Sequence, residues 1–65
     1  MPSSVIARFH YRPEARRLDV VFTSRRRYSY HDVPPDVAQA MKQSFSKGEF
    51  FNAHIRDRFQ FTREE

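Results

Sequence analysis

The 65-residue chain has no cysteine and no tryptophan, and Gly48 is its only glycine. Without cysteine there is no disulfide and no thiolate chemistry, and the chain suits a reducing cytosol. With one glycine there is no glycine-rich loop to cradle a phosphate. Long apolar runs are missing too: stretches such as Val20-Val21-Phe22 are the longest. That excludes a transmembrane helix, and the N-terminus lacks a signal-peptide core. The expectation is a soluble cytoplasmic protein.

The length fits one domain, residues 1–65, which buries only about 60% of the surface its unfolded chain exposes. His10, His31 and His54 lie more than twenty residues apart, so no metal-ligand spacing is present and no cofactor is expected. Nor is there a catalytic constellation: Asp32 and Asp36 are better explained by helix-start electrostatics than by acid–base work. The chain is not expected to be an enzyme.

What is abundant is arginine and phenylalanine. Ten of twelve cations are Arg, and ten residues are aromatic, seven of them Phe. The aromatics supply large buried area per residue in a small core. The formal net charge is +4, and it is unevenly placed. Residues 8–27 hold seven Arg against Glu14 and Asp19, while residues 28–65 carry five basic and six acidic side chains. The guanidinium fork suits phosphate and carboxylate.

Residues 5–32 read as strands. Val5 to Tyr11 is rich in β-branched and aromatic residues and stops at Arg12-Pro13-Glu14, a turn signal. Leu18, Val20 and Phe22 alternate along a second strand. After Ser24-Arg25-Arg26, residues Arg27 to His31 alternate again, with Tyr28 and Tyr30 on one side. Short connections make a three-stranded antiparallel meander. Val33-Pro34-Pro35-Asp36 begins a helix, because proline loses nothing in a first turn and aspartate suits the positive dipole end. Val37, Ala38, Met41 and Phe45 form its apolar stripe. Ser46-Lys47-Gly48-Glu49 is a capping box for a second helix with Phe51 and Ile55 as its core pair. Phe59 and Phe61 alternate in an extended tail that docks on the body, and Glu64 and Glu65 are expected to fray. The fold class is α+β, with both helices on one sheet face.

Two helices with apolar stripes need a sheet face to cover, so Tyr28 and Tyr30 are assigned to the covered face with Leu18, Val20 and Phe22. The other reading makes them an exposed stacking platform between cations, as in single-strand binders. On the first reading the open face carries Arg8, His10, Arg17, Asp19, Val21, Thr23, Arg27, Ser29 and His31. That face is basic and without rings. Arg25, Arg26 and Arg27 form an exposed tip able to meet phosphate.

The other distinctive stretch runs from Phe50 to Arg56. Asn52 and Arg56 stand four apart on one helix side, and with Lys47 they would make a second ligand patch. The competing and preferred reading has Asn52 and His54 tie the helix to the sheet or tail through backbone bonds.

The ordered set of Ser3-Ser4, Ile6, Tyr11, Leu18-x-Val20-x-Phe22, Tyr28-x-Tyr30, Val33-Pro34-Pro35 and Ser46-Lys47-Gly48 before Phe51-Asn52-x-His54-Ile55-Arg56 resembles the KTSC domain. That short module is named after the C-terminus of some lysyl-tRNA synthetases and also stands alone in bacteria. The resemblance spans about Ser3 to Phe61. It departs where the family commonly has glycine (His10 here), Asp (Arg12 here) and a glycine-bearing turn (Arg25 to Arg27 here). It implies a family without an established activity, for which RNA binding has been proposed.

The leading expectation is a small basic module binding nucleic acid, RNA before DNA, mainly at phosphates. Arg8, Arg17, Arg25, Arg26, Arg27 and His31 would carry it, with Lys47, Asn52 and Arg56 as a second patch. The alternative is an adaptor that docks an acidic protein or lends an edge strand to another chain, through the edge of the first strand or the Phe59/Phe61 tail if that is exposed. Membrane binding is not expected, since neither helix has a wide basic amphipathic face.

Overall fold

The computed structural model describes residues 6–64. Four strands form one antiparallel sheet in chain order: β1 (Ile6–Arg12), β2 (Arg17–Phe22), β3 (Arg27–Tyr30) and β4 (Phe61–Arg63). Helices α1 (Pro35–Gln43) and α2 (Lys47–His54) lie between β3 and β4 in sequence. The fold is α+β as expected, but the meander has four strands rather than three. The extended tail docks by its phenylalanines as expected, Phe59 against the core and Phe61 against Tyr28 and Tyr30, and it also pairs with β3, setting Tyr30 opposite Phe61 and Tyr28 opposite Arg63. Glu64, expected to fray, donates its amide to the Arg27 carbonyl at 2.8 Å. Ser3, Ser4, Val5 and Glu65 lie outside the described residues.

Strand β1 breaks strict alternation. Ile6 pairs with Phe22 but Arg8 pairs with Val21, so Ala7 is the extra residue of a β-bulge. Without the bulge Ile6 would share a face with Arg8 and His10. With it, Ile6, Phe9 and Tyr11 stand opposite Phe22, Val20 and Leu18 and all pack against the core.

The core joins Leu18, Val20 and Tyr30 from the sheet to Val33, Met41, Phe51 and Ile55. The last two are the α2 pair read from spacing, and Ala38 and Met41 are buried from α1. Phe45 does not belong to that stripe. Helix α1 stops at Gln43, where the Ser44 amide and hydroxyl both donate to the Met41 carbonyl, at 3.1 and 2.8 Å. Two residues later Ser46 caps α2, its oxygen accepting from the Glu49 amide at 3.3 Å. Phe45 is stranded between the two caps and fully exposed. A periodic pattern cannot register a helix stop set by side-chain hydrogen bonds.

Val33 pins the sheet to the helical layer. Its amide donates to the Arg16 carbonyl at 2.9 Å and its carbonyl accepts from the Tyr11 hydroxyl at 2.7 Å. The two hairpin loops are closed by residues in the left-handed region, Arg16 at φ 51° and Arg25 at φ 76°. In the second, the Arg25 amide donates to the Phe22 carbonyl and the Phe22 amide to the Arg26 carbonyl. This is a three-residue loop whose last member wants glycine.

Tyr11→Phe removes the donor to Val33 and should destabilise by about 1–2 kcal/mol. Arg16→Gly relieves the left-handed arginine and should stabilise by about 1 kcal/mol, raising Tm by roughly 4–8 °C in a domain of this size. Thermal unfolding followed by circular dichroism checks both signs.

Candidate nucleic-acid interface

The register sorts the polar residues onto two surfaces. On the open sheet face, His10, Asp19, Ser29 and Thr62 stand side by side across the four strands. Arg8, Val21 and Arg27 form the row on one side of it, and Arg12 pairs with Arg17 on the other side. The expected residues of this face are brought together, but it is not a purely basic surface.

Asp19 stands at its centre. Its carboxylate takes the Arg12 Nε at 2.8 Å and the Ser29 hydroxyl at 2.7 Å, and Arg17 Nε lies 3.3 Å away. That Arg17 nitrogen is buried and too poorly aligned to count as a hydrogen bond, so its pairing is electrostatic. Buried Ser29 also lies 2.8 Å from Glu64, and its single proton serves one carboxylate at a time. Arg17, expected to meet a ligand, is therefore held by Asp19. His31 is likewise occupied, its Nε2 sharing a hydrogen bond of 2.8 Å with the Thr62 hydroxyl that ties the end of β3 to β4.

Four guanidiniums without a carboxylate partner among the described residues, those of Arg8, Arg25, Arg26 and Arg27, gather at the β2–β3 end of the sheet. Arg8, Arg25 and Arg27 line one shallow hollow with Val21 and Thr23. Arg26 faces the other way, into a larger groove of about 630 Å³ between the sheet edge and α2. One turn thus sends cations to both sides, because successive side chains along a strand end point oppositely.

The groove has an aromatic wall. Tyr28 lies 5.5 Å from Phe22 and 5.3 Å from Phe61, measured between ring centres. Behind them Tyr30 packs edge-on to Phe51 at 5.4 Å. Tyr30 is buried, as expected for the covered face, whereas Tyr28 is half-buried and Phe61 is 51% exposed. The covered-face assignment holds for both tyrosines, yet helices of this length do not reach the β3–β4 end, so rings remain open there. Asn52, Arg56 and Asp57 complete the lining. Burial pushes the Tyr30 phenol above its ordinary pKa, with the Tyr28 ring adding to the rise and Arg56 opposing it.

The second expected patch is only partly assembled. Asn52 and Arg56 do meet, Arg56 Nη1 donating to Asn52 Oδ1 across a long 3.5 Å. Lys47 does not join them: its ammonium donates to the Ser44 carbonyl at the end of α1. Nor do Asn52 and His54 tie α2 to the body through backbone bonds. Asn52 takes Arg56, and exposed His54 lies against the Phe50 ring with centres 4.6 Å apart. Helix α2 needs no such ties, because Phe51 and Ile55 anchor it by burial. The alternation of Phe59 and Phe61 marked that tail, if exposed, as a contact for a protein partner and not for nucleic acid; Asp57 was not singled out from sequence.

The chain belongs to the KTSC domain family, whose model matches residues 2–59. A crystallised KTSC domain protein from Yersinia pestis superposes with a TM-score of 0.92 at 31% identity, covering all of this chain and 92% of that one. A lysine–tRNA ligase from Nostoc punctiforme is 38% identical over 58 residues, which are 89% of this chain but 10% of that protein. An uncharacterised protein from Stutzerimonas stutzeri is 40% identical over 52 residues, 80% of this chain and 73% of its own length. The chain thus spans about a tenth of the ligase it matches.

Burial raises the pKa of Asp19, but the hydrogen bonds from Arg12 and Ser29 and the charge of Arg17 outweigh it and hold the carboxyl below its ordinary 3.8. The folded state therefore favours the ionised form. That contribution is complete above the ordinary value and fades as pH falls through the lowered one. Asp19→Asn should lower stability at neutral pH and flatten the stability curve on its acid side. Urea unfolding of both proteins at a series of pH values measures this.

Proposed function

We propose that this KTSC domain is a small basic module that binds RNA, chiefly through phosphate contacts. The observation that carries the reading is the set of arginines at the β2–β3 end. Arg8, Arg25, Arg26 and Arg27 gather there without carboxylate partners among the described residues, and Arg56 lines the same groove as Arg26. Arg12 and Arg17 are discounted, since both are already engaged by Asp19. Unpaired, exposed guanidiniums keep their full attraction for a polyanion and release its counterions on contact. His31 and Lys47 act structurally in this reading.

RNA is favoured over DNA on two grounds. The similar segment of the Nostoc protein belongs to a tRNA ligase, which is a warrant by analogy. Open rings beside cations suit unpaired strands, the form in which RNA is most often recognised. The module is read as a binder and not an enzyme. A protein adaptor is the second reading, and fully exposed Phe45 is the observation in its favour.

Fluorescence anisotropy with labelled single-stranded and hairpin RNA at several salt concentrations tests the proposal. Affinity should fall steeply with salt, and Arg8→Ala and Arg27→Ala should each reduce the log–log slope by about 0.7–1. Absence of binding at low salt, or a slope near zero, would reject it. A defined protein recovered in a pull-down after nuclease treatment would favour the adaptor.

A further inference from the structure

We infer that the groove between the β3–β4 edge and α2 takes an unpaired base of a single-stranded RNA, stacked on Phe61 and Tyr28. The inference rests on the nucleic-acid reading above and adds a site to it, on the side of the sheet away from Arg8 and Arg27.

Phe61 is a large aromatic left half in water at a sheet edge, its ring centre 5.3 Å from Tyr28 and 5.4 Å from Tyr30. Neighbouring rings therefore hold it in place while part of its surface stays open. A flat partner that covers that ring gains stacking without disturbing the core. The volume of about 630 Å³ falls within the roughly 300–1,000 Å³ typical of ligand clefts.

The charges along the groove indicate how it is occupied. Arg26, Arg56 and Asp57 are all exposed lining residues, two cations against one carboxylate. A phosphate is drawn to the two guanidiniums and repelled by Asp57, while the uncharged base takes the ring wall of Tyr28 and Phe61. Asn52 offers both an amide donor and an acceptor, and its contact with Arg56 is long enough, at 3.5 Å, to be exchanged for a base edge. Every base has a flat face, so the groove accepts any of them.

The covered partner is an RNA strand rather than a free nucleotide, because the arginines of the same turn continue to the opposite side. Arg26 serves the groove while Arg25 and Arg27 line the hollow beside Arg8. A strand passing over the β2–β3 turn meets both sets, which a mononucleotide cannot span.

Labelled protein is titrated with a short unpaired oligoadenylate, with a blunt RNA duplex and with AMP, and amide shifts and affinities are recorded. Phe61→Ala and Phe61→Tyr are compared with the parent after circular dichroism has shown that both fold. The oligoadenylate should shift Asn52, Arg56 and Phe61. Phe61→Ala should weaken its binding roughly 5- to 100-fold, the range implied by about 1–3 kcal/mol of stacking per base. Phe61→Tyr should restore it, and duplex affinity should not change.

Shifts confined to Arg8, His10 and Arg27, with oligoadenylate affinity unchanged in Phe61→Ala, would overturn this site and leave the phosphate-binding reading standing. AMP binding as tightly as the strand would overturn the single-strand assignment. No response to any RNA at low salt would overturn both.

Discussion

The pairing of β2 with β3 sets Leu18 opposite Tyr30 and Val20 opposite Tyr28, and the rest of the molecule follows from that register. A shift of one residue would turn every side chain of a strand to the other face. With β3 slipped against β2, Ser29 would enter the core and Tyr28 and Tyr30 would face water. In the observed register the four apolar side chains form one surface, which α1 and α2 cover with Met41, Phe51 and Ile55. The same alternation leaves Asp19 and Ser29 adjacent on the other face, where Asp19 collects Arg12 and Arg17.

A domain this small keeps its helices short, and that shortness shapes the surface. Helix α2 has eight residues and ends at His54, about 12 Å of rise. Ile55 closes it, and Asp57 adopts a left-handed conformation, φ 64°, before the chain returns as β4. The return brings Phe61 beside Tyr28 and Tyr30 but leaves it beyond the helix's cover. The groove is a by-product of covering a four-stranded sheet with two short helices. The cations that line it are not: Arg26 comes from the hairpin loop and Arg56 from just past α2.

Arginine is used here in two ways that composition cannot separate. Arg12 and Arg17 are engaged by a carboxylate that register brings to them, and they contribute to the sheet. Arg8, Arg25, Arg26 and Arg27 are left without a carboxylate partner among the described residues, at a turn where the chain tolerates a left-handed arginine in place of glycine. Retaining arginine at such a position costs about 1 kcal/mol or more. A conformational cost of that kind fits a side chain used for its charge.

The amino-acid order by itself determined the first three strands, two of them by alternation and one by its β-branched and aromatic residues, together with the proline-led start of α1, the Ser46 cap of α2 and the family resemblance. These are written in short-range signals: period-two alternation, turn residues and capping side chains act over a few residues. It also assigned Tyr28 and Tyr30 to the covered face, since apolar helices need a surface to bury. Only the tertiary structure decided that residues 61–63 form a fourth strand, that Phe45 is excluded from α1, that Arg17 is paired with Asp19, and that Arg26 and Arg56 line one groove with open rings. Those outcomes depend on cross-strand register and on where two helices stop. Such contacts join residues far apart in the chain, 35 positions for Ser29 and Glu64, and no local pattern encodes them.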